Sequence, residues 1–316
     1  MTIDPSPVTP SSSNSPDASI SRDAALTYWT SIAADVNGML GGYPQVSRID
    51  IQGSSNFLAK LQRLDEAGSG RGGGAGAGRG NRGRRIYERA ADCGAGIGRI
   101  TLNLLVHHAK VVDVVEPVKK FTDALVVAAS APPPSSIPKT DASAPAVGEV
   151  GRIYNLGLED WDPCDRAGEG EGKAEQARQE DAAAVDEAAT GTPAEAEAEA
   201  EAEADTQPSS NPTYDLIWNQ WCLGQLTDRQ LVSYLRRCAR ALLPHGWIIV
   251  KENMSSHVSG EDIFDETDSS VTRSDASFRR LFEEAGLVVV LTEVQRGMPR
   301  ELFPVRCYGL RPRGWK

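Results

Sequence analysis

Apolar and polar residues follow two patterns along this chain, one typical of buried strands and the other of amphipathic helices. KVVDVVE (110–116) and GWIIVKEN (246–253) are short, largely apolar and rich in β-branched residues, which predicts buried strands. TDRQLVSYLRRCARALL (227–243) repeats its apolar positions every three or four residues, which predicts a helix that is broken by the following PHG. One face of that helix is predicted to hold Leu231, Leu235, Cys238 and Leu242.

The other predicted elements continue the alternation of strand and helix. The further strands are one that ends at Ala91 or Asp92, those at 151–156 and 214–221, and a final pair formed by LVVVLTEV and VRCYGL. The further helices are those at 98–108, 118–129 and 277–286, the last closed by Gly286. This alternation predicts an α/β fold, a Rossmann-like, seven-stranded, mostly parallel sheet with helices on both faces.

Four stretches interrupt the pattern because they have too few apolar residues to offset the entropy of ordering them. They are 1–20, 66–83, 130–147 and 165–211. We therefore predict one domain over residues 21–316, preceded by a disordered tail and interrupted by three disordered insertions in surface loops. The Gly/Arg-rich stretch 66–83 is interpreted as a flexible linker rather than an RNA contact.

Charge and cysteine content argue against several classes of function. Residues 165–205 carry 14 acidic and 3 basic residues, so this segment has a net charge of −11. The whole chain has the same formal net charge, so the rest of the chain is close to neutral. A neutral body without a basic stripe argues against direct nucleic-acid binding. The five cysteines occur singly, so we expect no metal site and no disulfide framework. Without an apolar leader or a membrane-spanning run, we expect a cytoplasmic or nuclear protein with no membrane partner.

A glycine-rich turn between a strand and a helix is the first candidate for chemistry. In AADCGAGIGRIT (90–101), backbone amides at the start of the helix can approach a nucleotide closely. A dinucleotide motif that begins at Gly94 and Gly96 needs Gly or Ala at the third position, where this chain has Arg99. The residues instead form GxGxG with Gly98, which argues against an NAD-dependent oxidoreductase.

Acidic residues at two strand ends complete this candidate site. Asp92 precedes the glycines, and Glu116 ends the next strand, where a carboxylate can hold ribose hydroxyls. Together these features resemble the first two motifs of the class I methyltransferases, which implies S-adenosyl-L-methionine as cofactor. By resemblance Arg99 pairs with the methionyl carboxylate; the alternative is a solvated charge on the helix. Glu116 followed by Pro117 replaces a more common turn that begins with Asp.

Three longer strings give a more specific match. They are YWTSIAADVNGMLGGYPQVSRIDIQGSSNFL (28–58), IWNQWCLGQLTD (217–228), and KENM followed by IFDETDSSVTR within 251–273. With DCGAGIGRIT they resemble the eukaryotic protein N-terminal methyltransferases that modify Xaa-Pro-Lys ends, over about two thirds of the chain. The resemblance implies methyl transfer from S-adenosyl-L-methionine to the free α-amine after removal of the initiator methionine.

The resemblance also implies the site residues. The cofactor contacts are Gly94, Gly96, Arg99, Glu116, Pro117, Leu158, Glu159 and Gln220. The peptide contacts are Trp29, Leu40, Gly41, Trp221, Asp265, Asp268 and Ser270. The catalytic set is Asp268 as the base, Asn253 as a hydrogen-bond partner of the first substrate residue, and Gln225, which stands where relatives have a histidine. GMLGGY (38–43) belongs to a helical lid at the N-terminal end of the domain.

These residue types suit a peptide that begins Xaa-Pro-Lys. Trp29 and Trp221 can wall a proline ring, although Trp221 could equally be a core residue at a strand end. Asp265 and Asp268 form an acidic lip for a lysine ammonium, although DETDSS alone is as typical of a helix-capping loop. Relatives have a tyrosine at the position of Phe303.

Gln225 and Phe303 motivate an alternative function, a peptide-binding protein that keeps the fold and has lost catalysis. A small-molecule methyltransferase is the second alternative, because it would share the glycine motif and the sheet. As partners we expect N-terminal peptides of proteins, with ribosomal and chromatin proteins as the substrates that the resemblance suggests. We expect the chain to be a monomer.

Overall fold

The computed structural model describes residues 15–68, 85–131, 148–165 and 213–315. Most of the four stretches predicted to be disordered lie outside these residues. At the ends of these stretches that the structure does describe, the predicted disorder is wrong. Residues Pro16–Ser19, for example, form a 3₁₀-helix. Two helices also continue into the predicted insertions, one to Gly68 and one to Ser130.

A seven-stranded sheet forms the centre of the molecule, in the order β3-β2-β1-β4-β5-β9-β8. Its strands are β1 Tyr87–Cys93, β2 Ala109–Val115, β3 Glu149–Tyr154, β4 Tyr214–Gln220, β5 Leu242–Asn253, β8 Leu287–Val294 and β9 Val305–Pro312. The first five strands of this order are parallel, and β9 is antiparallel to both β5 and β8. A separate hairpin consists of β6 Ile263–Asp265 and β7 Ser270–Thr272.

Helices cover both faces of the sheet. They are α1 Arg22–Ser31, α2 Val36–Met39, α3 Val46–Gly68, α4 Arg99–Asn103, α5 Lys119–Ser130, α6 Asp228–Ala241 and α7 Asp275–Glu284. Phe57 and Leu61 of α3 pack against one face, in a cluster with Trp218 and Trp247. The helices α6 and α7 pack against the other face. The predicted α/β class, sheet and N-terminal helical segment are therefore confirmed.

Strand register brings the predicted site together. In β1, Cys93 pairs with Val115 of β2 on one side and with Asn219 of β4 on the other. The chain order reverses between β1 and β4, and ligands of open α/β sheets bind at such a point, outside the carboxyl ends of the strands. The glycine turn, Glu116 and Gln220 each follow or end one of these three strands.

The predicted helix 98–108 is wrong in its second half. The structure has α4 and then a separate 3₁₀-helix, Leu105–His107. Leu104, Leu105 and Val106 are all buried. Successive residues of an α-helix point about 100° apart, so one continuous helix could not bury all three on one face.

Two other boundaries differ from the prediction. Leu242, predicted on the buried face of the 227–243 helix, is the first residue of β5 and is buried in the same core as Leu235. The segment DETDSS does not cap a helix, since it spans the turn between β6 and β7; the cap of α7 is Ser274, whose hydroxyl accepts the amide of Ser277.

No helix among the described residues is long and apolar enough to cross a membrane.

Candidate active site

The glycine turn is shaped by its neighbours as well as by its own backbone. Gly94 has φ +66° and Gly96 has φ +55°, a region that side chains with a Cβ seldom occupy. A Cβ on Gly94 would lie 2.2 Å from the Cβ of Cys222. The amides of Gly94 and Ala95 donate to the carbonyl of Val115, at 2.8 and 3.2 Å. The turn is therefore fixed against β2, with room for a ligand where side chains are missing.

Glu116 is held rigidly beside this turn. Its carboxylate accepts the amide of Gly96 at 2.8 Å and the amide of Val118 at 2.9 Å. Burial raises the pKa of Glu116, while the two amides lower it. Each carboxylate oxygen keeps a further lone pair. The group can therefore still accept hydrogen bonds from a ligand's hydroxyls, and its role as the ribose-binding acid stays a prediction.

Asp92 is a second buried acid at the end of β1. The hydroxyl of Thr101 donates to its carboxylate at 2.5 Å. Burial raises the pKa of Asp92 to about 7, although the Thr101 hydrogen bond and the charge of Arg99 lower it. The carboxyl group lines the same pocket as the glycines, where it can face a cationic group of a ligand.

Arg99 is not a solvated helix charge, because 8% of the residue is exposed. Its guanidinium donates to Asp50 at 2.6 Å and lies over the ring of Trp221, 5.3 Å from the centroid. Asp50 also accepts the amide of Gln220, at 2.8 and 3.0 Å, and lies 2.5 Å from the Nζ of Lys251. Sequence reasoning missed both Asp50 and Lys251; the signal for Lys251 was its place directly after the apolar run WIIV (247–250).

One pocket brings the predicted cofactor contacts together. It is lined by all eight of them: Gly94, Gly96, Arg99, Glu116, Pro117, Leu158, Glu159 and Gln220. Trp29, Trp221 and Gln225 line the same pocket. The glycine turn, the Glu116 carboxylate and the buried Arg99 guanidinium together fit S-adenosylmethionine, which carries ribose hydroxyls and a carboxylate.

Trp221 lines this pocket and is half-buried, so the interpretation as a core residue is wrong. Its backbone has φ +55°, unusual for a bulky residue. The carboxylate of Glu252 accepts the amides of Cys222 and Leu223 at 2.9 and 3.0 Å, which fixes the turn that follows. The indole Nε1 of Trp221 is buried without a hydrogen-bond partner among the described residues.

The acidic lip lies on the β6–β7 hairpin. The amide of Gln225 contacts the Oδ2 of Asp268 at 3.5 Å, and Oδ1 is buried without a partner in the described part of the chain. Burial raises the pKa of Asp268, the Ser270 hydroxyl lowers it, and the nearby Asp265 raises it again. Asp265 is exposed. Burial and then the charges of both aspartates raise the pKa of Tyr28 on α1, so the lip faces that helix.

The other predicted peptide contacts are not among the residues that line the cofactor pocket. Leu40 is buried and Gly41 is exposed with φ +56°, while the preceding Met39 lines the pocket. Asn253 ends β5, opposite Val305 of β9. Asn253, Leu40, Gly41 and the hairpin residues do not line this pocket, and their roles remain predictions.

Two ion pairs and a hydrogen bond hold the start of the N-terminal helix α1 beside the pocket. Arg22 forms ion pairs with Glu159 at 2.8 Å and Asp160 at 2.6 Å. At the same end, the amide of Ser21 donates to the hydroxyl of Ser269 at 2.8 Å. These contacts hold Trp29 against the pocket. They join segments more than 130 residues apart, which is why sequence reasoning did not find them.

Comparison with known proteins gives a consistent result. The sequence matches the profile of the family described as AdoMet dependent proline di-methyltransferase over residues 17–169 and 185–311. It is 36% identical over 291 residues to alpha N-terminal protein methyltransferase 1 of Schizosaccharomyces pombe, a match that covers 91% of this chain and 94% of that protein. It is 32% identical over 291 residues to N-terminal Xaa-Pro-Lys N-methyltransferase 1 of Rattus norvegicus, covering 91% of this chain and 93% of that relative.

Among solved structures, a SAM-dependent methyltransferase from Leishmania major has 30% sequence identity and a TM-score of 0.59. The alignment covers 92% of this chain and 82% of that one. The likeness extends to the fold as well as to the sequence motifs.

Proposed function

Since this chain belongs to the family of AdoMet-dependent proline di-methyltransferases, we propose that it methylates the free α-amine of proteins that begin Xaa-Pro-Lys once the initiator methionine is removed. The fold is that of the class I methyltransferases, and S-adenosylmethionine is the methyl donor. The observation that carries the proposal is that Trp29, Trp221 and Gln225, the partner of Asp268, line the same pocket as Gly94 and Gly96.

The cofactor roles follow from what each side chain offers. Glu116 accepts from the ribose hydroxyls, and Arg99 pairs with the methionyl carboxylate. Leu158 and Glu159 flank the adenine, while Gln220 holds Asp50 behind Arg99. When bound, the sulfonium supplies an electrophilic methyl group and leaves as a neutral thioether.

Methyl transfer to an α-amine requires that the protein position the donor and the amine and supply one base. The amine lone pair attacks the methyl carbon as the sulfur–carbon bond breaks, so the amine must first lose a proton. An α-amine has a pKa of about 7.7 to 8.0, so neutralising it at pH 7 costs only about 1 to 1.4 kcal/mol. Asp268 takes that proton, and its buried Oδ1 has no hydrogen-bond partner among the described residues. Gln225 cannot accept a proton, and it orients Asp268 instead.

Recognition of the second and third substrate residues uses the groups around the pocket mouth. The indoles of Trp29 and Trp221 bracket the proline ring. The lysine ammonium meets the acidic lip, Asp265 and Asp268 with Ser270 beside them. Asn253 hydrogen-bonds the first residue, and Leu40 and Gly41 lie in the segment that covers it.

The remaining expectations concern the protein's substrates, cellular localisation and oligomeric state. The substrates are N-terminal peptides of proteins, ribosomal and chromatin proteins among them, which the enzyme meets in the cytoplasm or the nucleus. It acts as a monomer and needs no nucleic acid, membrane or metal.

Mass spectrometry of a peptide that begins Ser-Pro-Lys, after incubation with the protein and S-adenosylmethionine, tests the proposal. We expect one or more methyl groups on the N-terminal residue. Two matched peptides serve as controls: an N-acetylated one, which has no free amine, and one with Glu in place of Lys at the third position, which the acidic lip repels. Binding of the Ser-Pro-Lys peptide without any mass gain would instead favour the peptide-binding alternative that Gln225 and Phe303 suggest.

A further inference from the structure

A buried cluster of three charged side chains lies behind the cofactor pocket. It consists of Asp50 on α3, Arg99 on α4 and Lys251 on β5. Asp50 is 2.6 Å from Arg99 and 2.5 Å from Lys251, and both Asp50 and Lys251 are completely buried. Of the three, Arg99 lines the cofactor pocket.

The cluster holds two cations and one anion. The other hydrogen bonds of Lys251 go to neutral acceptors: the carbonyl of Asp50 at 3.0 Å, the hydroxyl of Ser54 at 2.8 Å and the amide oxygen of Gln295 at 3.2 Å. The charge of Lys251 is therefore balanced by the Asp50 carboxylate. Asp92 also lies in the field of Arg99, but burial raises its pKa to about 7, so it offsets that charge in part at neutral pH.

We propose that Lys251 is a positioning residue for the cofactor: it neutralises Asp50 and so leaves the charge of Arg99 free for the methionyl carboxylate. This inference rests on the role proposed above for Arg99. Without Lys251, Asp50 and Arg99 would form a neutral pair, and the carboxylate of Asp50 would repel an incoming carboxylate. Such repulsion is weakly screened in a buried site.

The test compares two ligands in Lys251→Met, a substitution that keeps an unbranched side chain, one heavy atom shorter, and removes its charge. S-adenosylhomocysteine carries the amino-acid carboxylate and ammonium, whereas 5′-methylthioadenosine has the same adenosine and thioether sulfur and lacks both. Loss of Lys251 would favour the ammonium, so weaker binding of S-adenosylhomocysteine reports on the carboxylate. By calorimetry we expect the variant to bind S-adenosylhomocysteine at least about tenfold more weakly, and 5′-methylthioadenosine as the parent does. An equal loss for both ligands would overturn the proposal, because it would indicate general damage to the pocket.

A double variant separates charge balance from packing. Lys251→Met with Asp50→Asn removes the cation together with its anion, so Arg99 regains an unopposed charge. We expect affinity for S-adenosylhomocysteine to recover to within a few-fold of the parent. Affinity no better than that of Lys251→Met alone would contradict the mechanism. Lys60→Met is the matched control, because Lys60 pairs with Glu293 and the two side chains are 44% and 36% exposed; the variant should bind both ligands normally.

Arg99→Met distinguishes failure of this inference from failure of the role on which it rests. If Arg99→Met leaves the preference for S-adenosylhomocysteine over 5′-methylthioadenosine intact, the assignment of Arg99 is wrong and the inference falls with it. If Arg99→Met abolishes the preference while Lys251→Met retains it, the inference about Lys251 alone is wrong.

Discussion

Asp268→Asn is the sharpest test of the proposed chemistry. The substitution keeps the shape of the side chain and its contact with Gln225 but removes the ability to accept a proton. Positioned general bases contribute roughly 10²- to 10⁴-fold in rate, so at pH 7 we expect kcat to fall by about that factor. Cofactor affinity should be nearly unchanged, because the contact between Asp268 and the cofactor pocket runs through Gln225.

The pH dependence of the rate is a second, independent test of Asp268 as the base. Asp268 must be ionised to act, and because burial raises its pKa, kcat/KM of the parent should fall as the pH drops through that raised value. The variant loses this acidic limb. At pH 7 about one tenth of an α-amine is already neutral, so the rate of Asp268→Asn should rise as the pH passes 8 and bulk water takes the proton.

Initial rates of peptide methylation between pH 5 and about 9 measure both effects. The matched control is Asp265→Asn, which removes an exposed acid from the same hairpin and should raise the KM for the peptide with little change in kcat. An unaltered rate in Asp268→Asn, or a pH profile of the same shape as that of the parent, would remove Asp268 as the base.

Three further changes have expected outcomes. Gly94→Ala places a Cβ against Cys222 at a positive φ, so S-adenosylhomocysteine should no longer raise the melting temperature; a normal shift would contradict the proposed cradle. Trp315→Ala removes one of two indoles that sandwich Arg311, 3.5 Å from each centroid, and should lower the free energy of unfolding in urea by about 1 kcal/mol without changing kcat. Replacing 165–211 by a short Gly/Ser linker should leave turnover in place, and a collapse of activity would mean that this stretch belongs to the site.

Local chemistry explains what the sequence predicted well. The glycine turn and Glu116 are short-range features, because each sits next to the strand that positions it, and strand ends follow from apolar runs. The β6–β7 hairpin was missed because strands of three residues, Ile263–Asp265 and Ser270–Thr272, are too short to show an alternating pattern. Its acids could be predicted by family resemblance but not by periodicity.

Most of what the sequence did not predict depends on contacts between residues that are far apart in the chain. Lys251 donates to the carbonyl and contacts the carboxylate of Asp50, 201 residues earlier in the chain. The apolar run before Lys251 indicates a buried lysine but not its partner. Nothing local to Asp50 distinguishes an ion pair from a solvated charge, and Arg99 had the same ambiguity. The burial seen in the structure identifies Asp50, Arg99 and Lys251 as paired charges, because a charged group in the interior persists only with a partner.

The fastening of α1 has a consequence for turnover. Every catalytic cycle must exchange spent nucleotide for fresh donor, and the helix that carries Trp29 lines the pocket in which the exchange takes place. Its ties at Glu159 and Asp160 are ion pairs of a side chain that is 40% exposed, and dissolved salt weakens such pairs far more than buried contacts. Ionic strength should therefore regulate this enzyme: moderate salt should speed release of the by-product, while it loosens the helix that carries Trp29, the residue proposed to contact the proline ring.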